Sequence, residues 1–300
     1  PRSTPLYSSA ASDVYKRQLL RSGQALYQPL ERYRFLSAPY PPVSYLFFAL
    51  FDLIQGAHVF WSARLVSGIA ALGIAFLSTM IVRKTGSSWA IAIFAAALLL
   101  SVPPLQLWGT RIKPDVLALL FTCSGLFFGM HSLIQTAPSS QYIPNTTRTT
   151  SALGSQLSAN GHPWFLGLAA LAFTLAFYTK QTAVAGPLAL GIALLAADWR
   201  DWRPDIVHRL YVWKFPFQWR TLAFAFSYLV LTLGSWLILD LITDGQYSLH
   251  VWWSGDRSQW WSFGLFRKIV ELLGFWWPQM LLALLLSLIH ISEPTRRTPI

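Results

Sequence analysis

The strongest constraint on how this chain can fold is the recurrence of long apolar runs separated by short polar connectors. Trp61–Val82, Trp89–Leu107, Val116–Ile134 and Thr221–Leu241 approach or reach the roughly 20 residues a helix needs to cross about 30 Å of hydrocarbon. Val43–Ile54, Pro163–Tyr178, Ala183–Ala197 and Leu272 to about Leu286 are shorter. Inside a bilayer each backbone N–H and C=O must be satisfied within its own segment, so such runs fold as helices. The chain therefore reads as all-α, a polytopic transmembrane helical bundle with about seven spanning or re-entrant helices.

The punctuation between the runs refines this. Pro41 and Pro42 precede Val43–Ile54, which is either a re-entrant or interfacial helix or a spanning helix with the proline pair in its opening turn. Pro103-Pro104 bends or ends the last turn of Trp89–Leu107. Only Thr179–Thr182 separates Pro163–Tyr178 from Ala183–Ala197, which predicts a tight helical hairpin. Leu19–Tyr40 reads as a loop at a membrane surface, Gln135–His162 as a flexible polar loop, and the stretch from Leu241 to Glu271 as a long polar segment.

Composition agrees with a membrane setting and narrows the partners. Of 300 residues 54% are hydrophobic and 12% charged, too apolar a balance for a soluble globule. The 15 Trp, 20 Phe and 11 Tyr suit the two bilayer interfaces. A single cysteine, Cys123, rules out a disulfide framework or a cysteine metal site. The net charge of +11 is spread over connectors rather than gathered in a compact basic domain, so the expected partners are membrane lipids and phosphorylated lipids, not nucleic acid.

Residues 1–18 and 287–300 differ in composition from the rest and resemble translated adapter sequence. They are expected to be an artefactual leader and tail flanking a domain at 19–286 that is incomplete at both ends. Setting them aside removes five of the 23 cations and two of the 12 anions, which leaves +8. Alternate connectors then carry Arg83, Lys84, Arg148, Arg200, Arg203, Arg209, Lys214 and Arg220 on one side, and Arg111, Lys113, Lys180, Arg257, Arg267 and Lys268 on the other. The first set flanks the spans in ordinary loops and is assigned to the cytoplasm. The protein is thus expected in the inner (cytoplasmic) membrane, multi-pass, with its site on the extracytoplasmic face.

On that face the connector Trp108-Gly-Thr-Arg-Ile-Lys-Pro-Asp115 sets two cations and a carboxylate between apolar runs, where charge is expensive and tends to be functional. Lys180, Gln181, Asp240, Asp244, His250, Asp256 and the loop Arg21–Tyr40 can converge with it. Arginine and lysine at head-group depth suit a phosphate, a carboxylate suits a general base, and interleaved Trp and Tyr suit sugar rings. Asp240 and Asp244 would share a helix face but are too few for a metal site, so a divalent metal has no support and no cofactor is expected.

Leu20–Tyr27, Tyr40-Pro-Pro-Val-Ser-Tyr-Leu46, Arg111–Asp115 and Ala176–Thr182, in this order, resemble bacterial members of the GT-C glycosyltransferase superfamily, closest to the protein-mannosyltransferase-like family 39 enzymes. The resemblance implies transfer of a sugar from a polyprenyl-phosphate-linked donor to a lipid, glycan or protein acceptor outside the cytoplasmic membrane. It implies that Arg111, Lys113, Lys180 and Gln181 bind the donor phosphate, that Asp115 is a supporting carboxylate, and that Tyr27 and Tyr40 belong to a loop of the pocket. The family's catalytic aspartate lies upstream of the element resembling Leu20–Tyr27, where this chain has the leader, so the main base is expected to be missing. The rival readings are a transporter or flippase for a lipid-linked sugar, and an oligosaccharide polymerase or ligase.

Overall fold

The computed structural model describes residues 15–29, 38–55, 59–109, 113–133, 164–201 and 219–253, with Gly274, Trp277 and Leu281 beyond them. The chain divides into two compact units, Pro1–Ser254 and Gly255–Ile300. In the second, those last three residues are helical. The first contains α1 (residues 15–21), α2 (Pro42–Gln55), α3 (Val59–Lys84), α4 (Trp89–Leu100), α5 (Pro103–Gly109), α6 (Asp115–Leu133), α7 (Trp164–Thr179), α8 (Ala185–Asp201), α9 (Trp219–Ile242), the single turn α10 (Gln246–Ser248) and a π-helical turn at Leu249–Trp253. No strand occurs among the described residues.

Among the described residues three helices are long and apolar enough to cross a membrane: Ala63–Lys84 of α3, Asp115–Leu133 of α6 and Arg220–Ile242 of α9. The chain is accordingly a membrane protein. Large apolar side chains on α3 (Leu72, Phe76) and α9 (Phe226, Leu237, Leu241, Ile242) face outward, as lipid-contacting residues do.

Of the remaining apolar runs, one departs from the expected helix, and the cause is local. The run Trp89–Leu107 is not one helix. Ser101 closes α4 by donating its backbone N–H to Ala97 and Leu98 and its hydroxyl to Leu98, and Pro103 opens α5. A proline has no N–H to give and fits a first turn, so the break falls ahead of the proline pair. Pro42 likewise starts α2, whose 14 residues cover about 21 Å at 1.5 Å per residue, short of a full crossing. The loop expected at Leu19–Tyr40 begins as helix, since α1 continues to Arg21. Arg17 of α1 pairs with Asp52 of α2 at 3.3 Å, both fully buried, and Lys16 lies over the Tyr45 ring.

The bundle packs around α6. Turn 180–184 joins α7 to α8, but these two arms touch each other little; both lie mainly against α6 and α9. The expected hairpin exists in connectivity and not in packing. Its arms meet instead where α6 is narrow. A Cβ on Gly125 would stand 2.7 Å from the Phe173 ring of α7, and one on Gly129 would stand 2.5 Å from Leu190 of α8. Two glycines four residues apart thus leave a groove on α6 that receives Phe173 and Leu190, both buried. Small residues at this spacing let helices approach where lipid supplies no hydrophobic drive. Between α7 and α9 a polar rung adds to this: Thr174 and Thr232 hydroxyls lie 3.2 Å apart, and the Tyr178 hydroxyl donates to the Thr232 carbonyl at 2.6 Å.

The two ends of α6 carry different chemistry. Asp115, its first residue, pairs with Lys180. Near the other end His131 lies 3.1 Å from the Lys84 ammonium, and Arg83 stacks over Trp89. Sixteen residues separate Asp115 from His131, roughly 24 Å along the helix. The two cation sets distinguished in the sequence therefore separate where both are described. Arg148, Arg203, Arg209, Lys214, Arg257, Arg267 and Lys268 lie outside the described residues.

Candidate functional site

Four stretches of chain meet at the Asp115 end. Pro114 leads into α6, and Asp115 occupies its first turn, where a carboxylate is stabilised by the helix dipole. Helix α7 ends at Thr179, whose hydroxyl donates to the Leu175 carbonyl, and Lys180 follows at once. The ion pair between Lys180 and Asp115 joins residues 65 apart in sequence. Their side chains are 30% and 25% exposed, so the pair sits at an opening rather than in the core.

Gln181 donates through Nε2 to the Pro39 carbonyl at 3.0 Å, which ties the α7–α8 turn to the segment preceding α2. That bond fixes the amide's orientation, because only the nitrogen can serve a carbonyl. The Gln181 Oε1 atom is buried with no partner among the described residues. One residue along, the Tyr40 carbonyl accepts the Tyr27 hydroxyl at 3.0 Å. Tyr27 is itself buried and meets Tyr247 edge-on, with ring centroids 5.2 Å apart. Burial, followed by the neighbouring Tyr247 and Tyr45, holds the Tyr27 hydroxyl well above its usual range, so it stays a neutral donor.

The fourth stretch folds back over the end of α9. Asp244 and Gly245 take left-handed backbone angles (φ 50° and 78°) and reverse the chain. The Asp240 carboxylate then accepts the Ser248 N–H at 3.0 Å, the Thr243 hydroxyl accepts the Tyr247 N–H, and the Trp236 indole donates to the Ser248 hydroxyl. This corrects one sequence expectation and adds helix to the long polar segment. The segment after α9 is helical to Trp253, and Asp244 lies past the helix end, so it shares no helix face with Asp240. Asp240 caps the fold-back. Among the described residues no group of three His, Cys, Asp or Glu side chains comes together.

The π-turn aims His250 inward, at 1% exposure. Its Nδ1 accepts the Ala38 N–H at 2.9 Å, and its Nε2 donates to the Gln28 carbonyl at 2.7 Å. Both bonds require the neutral ring with hydrogen on Nε2. His250 thus staples both sides of the Leu19–Tyr40 segment to the turn beyond α9. Burial pushes its pKa down, nearby Lys16 adds to this, and the Gln28 bond partly opposes it. Because the folded value lies below the unfolded one, the staple's full contribution is present above the unfolded pKa of about 6.5 and is lost as pH falls through and below it. Thermal melts between pH 7.5 and 5 are expected to show falling stability for the wild type, and a flatter profile for His250→Gln.

The structure brings together Asp115 with Lys180, Gln181 with Pro39, and Tyr27 with Tyr40 and with His250, whose ring it meets at 5.7 Å. Lys113 is half-buried two residues before Asp115 and makes no ion pair among the described residues. Arg111 and Asp256 lie outside the described residues, as does the Trp108 side chain. Sequence reading missed Tyr247, which is fully buried with an unpartnered hydroxyl, and Tyr178 and Trp236, which pack on it. No signal of spacing marks these three, since each lies in or beside an apolar run. Searches of known proteins return no matching family model, no matching curated protein and no matching solved structure.

Proposed function

We propose that the chain transfers a sugar from a polyprenyl-phosphate-linked donor to an acceptor, at the extracytoplasmic face of the membrane. The observation that carries this reading is the Lys180–Asp115 pair, joined across two helices at one end of an apolar bundle and left partly open to solvent. Asp115 holds the ammonium in place from a helix N-terminus, and the pair has no net charge of its own. The adjoining Lys113, and Arg111 in the same connector, then supply the excess positive charge that a phosphate monoanion needs.

In this reading the lipid phosphate leaves as the acceptor oxygen attacks the anomeric carbon. The C–O bond to phosphate breaks as the new glycosidic bond forms, and the acceptor hydroxyl's proton passes to a base. The cations stabilise negative charge growing on the leaving phosphate. Asp115, occupied by Lys180, serves as an orienting carboxylate and not as that base.

The test is turnover in liposomes by the protein completed with the upstream segment expected to carry the base, supplied with polyprenyl-phosphate hexose and scored by release of polyprenyl phosphate. Release that depends on Lys180 and needs no gradient supports an enzyme. Movement of intact sugar-lipid between leaflets without cleavage would instead identify a flippase.

A further inference from the structure

We propose that Tyr247 Oη and Gln181 Oε1 form a subsite for the hydroxyl groups of the transferred sugar, and this inference rests on the sugar-transfer reading above. Both atoms are buried and without a partner among the described residues, which is uncommon enough in folded proteins to call for a missing group. The chemistry of the pair limits what that group is. Gln181 presents an oxygen, since its nitrogen is committed to the Pro39 carbonyl, and an amide oxygen only accepts. A phosphate at neutral pH has no hydrogen to offer it beyond at most one, and a polyprenyl chain has none. A sugar ring carries several hydroxyls, each able to donate to Gln181 and to exchange donor and acceptor roles with Tyr247.

The surroundings suit a ring. Tyr247 is walled by Tyr27 edge-on at 5.2 Å, Trp236 at 4.8 Å and Tyr178 in a stacked arrangement at 6.3 Å. These rings pack on Tyr247 itself, with Tyr27 and Tyr178 buried as well, and form an apolar wall whose polar edge is left to select hydroxyls. Position agrees as well. Gln181 directly follows Lys180, and its Pro39 contact lies next to Tyr40, whose carbonyl holds Tyr27 against Tyr247. The cation that grips phosphate and the acceptor that grips sugar are thus consecutive residues, as a sugar phosphate requires.

Two neighbouring tyrosines give the proposal its sign. The Tyr27 hydroxyl has its partner, and Tyr27→Phe should cost stability. The Tyr247 hydroxyl is buried without one, so Tyr247→Phe should raise the melting temperature of the ligand-free protein. The experiment measures melting of the full chain in detergent against two probes: short polyprenyl-phosphate sugars (gluco, manno, galacto and arabino forms) and the same polyprenyl phosphate without sugar. For at least one sugar the wild type is expected to gain more from the sugar-bearing lipid. Tyr247→Phe and, separately, Gln181→Met should lose that extra gain, with binding of the sugar-bearing lipid weakened ~10-fold, while Lys180→Ala loses the gain from both lipids. Equal shifts by the two probes in the wild type, or an undiminished sugar-specific gain in Tyr247→Phe, would overturn the subsite and leave the phosphate reading standing. No shift by either probe would overturn the sugar-transfer reading itself.

Discussion

Lys180→Ala is expected to slow sugar transfer by roughly 10²- to 10³-fold, the loss typical when one preorganised donor to a developing oxyanion is removed. The protein should still insert, because Lys180 lies in the turn after α7 with its side chain 30% exposed. A partly exposed ion pair contributes little to stability, on the order of 1 kcal/mol or less. Asp115→Asn should behave differently. It removes the orienting charge and leaves the cation, so KM for the lipid donor should change more than turnover. Exchanging the charges with Asp115→Lys and Lys180→Asp separates the two roles. The exchange can restore an ion pair and any stability that either single change costs. It places the cation on α6 and a carboxylate where phosphate is to bind, so turnover should stay at the Lys180→Ala level. Recovery of turnover by the exchanged pair would mean that the pair is purely structural.

The second large effect concerns packing. Gly129→Ala is expected to destabilise the protein by about 1–3 kcal/mol, the usual cost of forcing atoms into a filled interior. The added methyl would meet both Leu190 Cδ atoms at 2.5 Å. Gly125→Ala drives a methyl into the Phe173 ring, which has less freedom to move than a leucine tip, so its loss should be the greater of the two. Leu190→Ala alone leaves a void and also destabilises. Combined with Gly129→Ala it should recover part of the loss, because the methyl then occupies vacated space. Gly191→Ala on α8 is the control. Nothing lies within 4 Å of its Cβ position, and replacing a mid-helix glycine should gain roughly 0.5–1 kcal/mol. Melting curves of the five variants in one detergent compare them directly. Loss of stability in Gly191→Ala equal to that in Gly129→Ala would remove the argument for a groove on α6.

Much of the architecture was legible because hydrophobic length is a local property. The runs Trp61–Val82, Val116–Ile134 and Thr221–Leu241 become the three helices of spanning length, with ends shifted by two residues or fewer. The failures were local as well. Trp89–Leu107 breaks ahead of its proline pair because Ser101 already satisfies the last carbonyls of α4. The polar segment after Ile242 carried no structural expectation, yet Asp240, Thr243 and Trp236 each bond into it where it folds back as helix.

At the candidate site, sequence picked out residues by their cost. Asp115, Lys180 and Gln181 stood out because charged and polar groups between apolar runs need a reason to be there, and the first two proved to be each other's partners. Their chemical type was fixed by sequence alone, as was the membrane setting, since both follow from the free energy of placing each side chain in hydrocarbon. Only the tertiary structure decided which residues meet. His250 closes on Gln28 and Ala38 across more than two hundred residues, and Gln181 on Pro39 across 142. Tyr247 acquires its significance from being buried without a partner. Neither a long-range contact nor the lack of one leaves a trace in spacing or composition, because each depends on how separate helices are brought together and not on the preferences of any one of them.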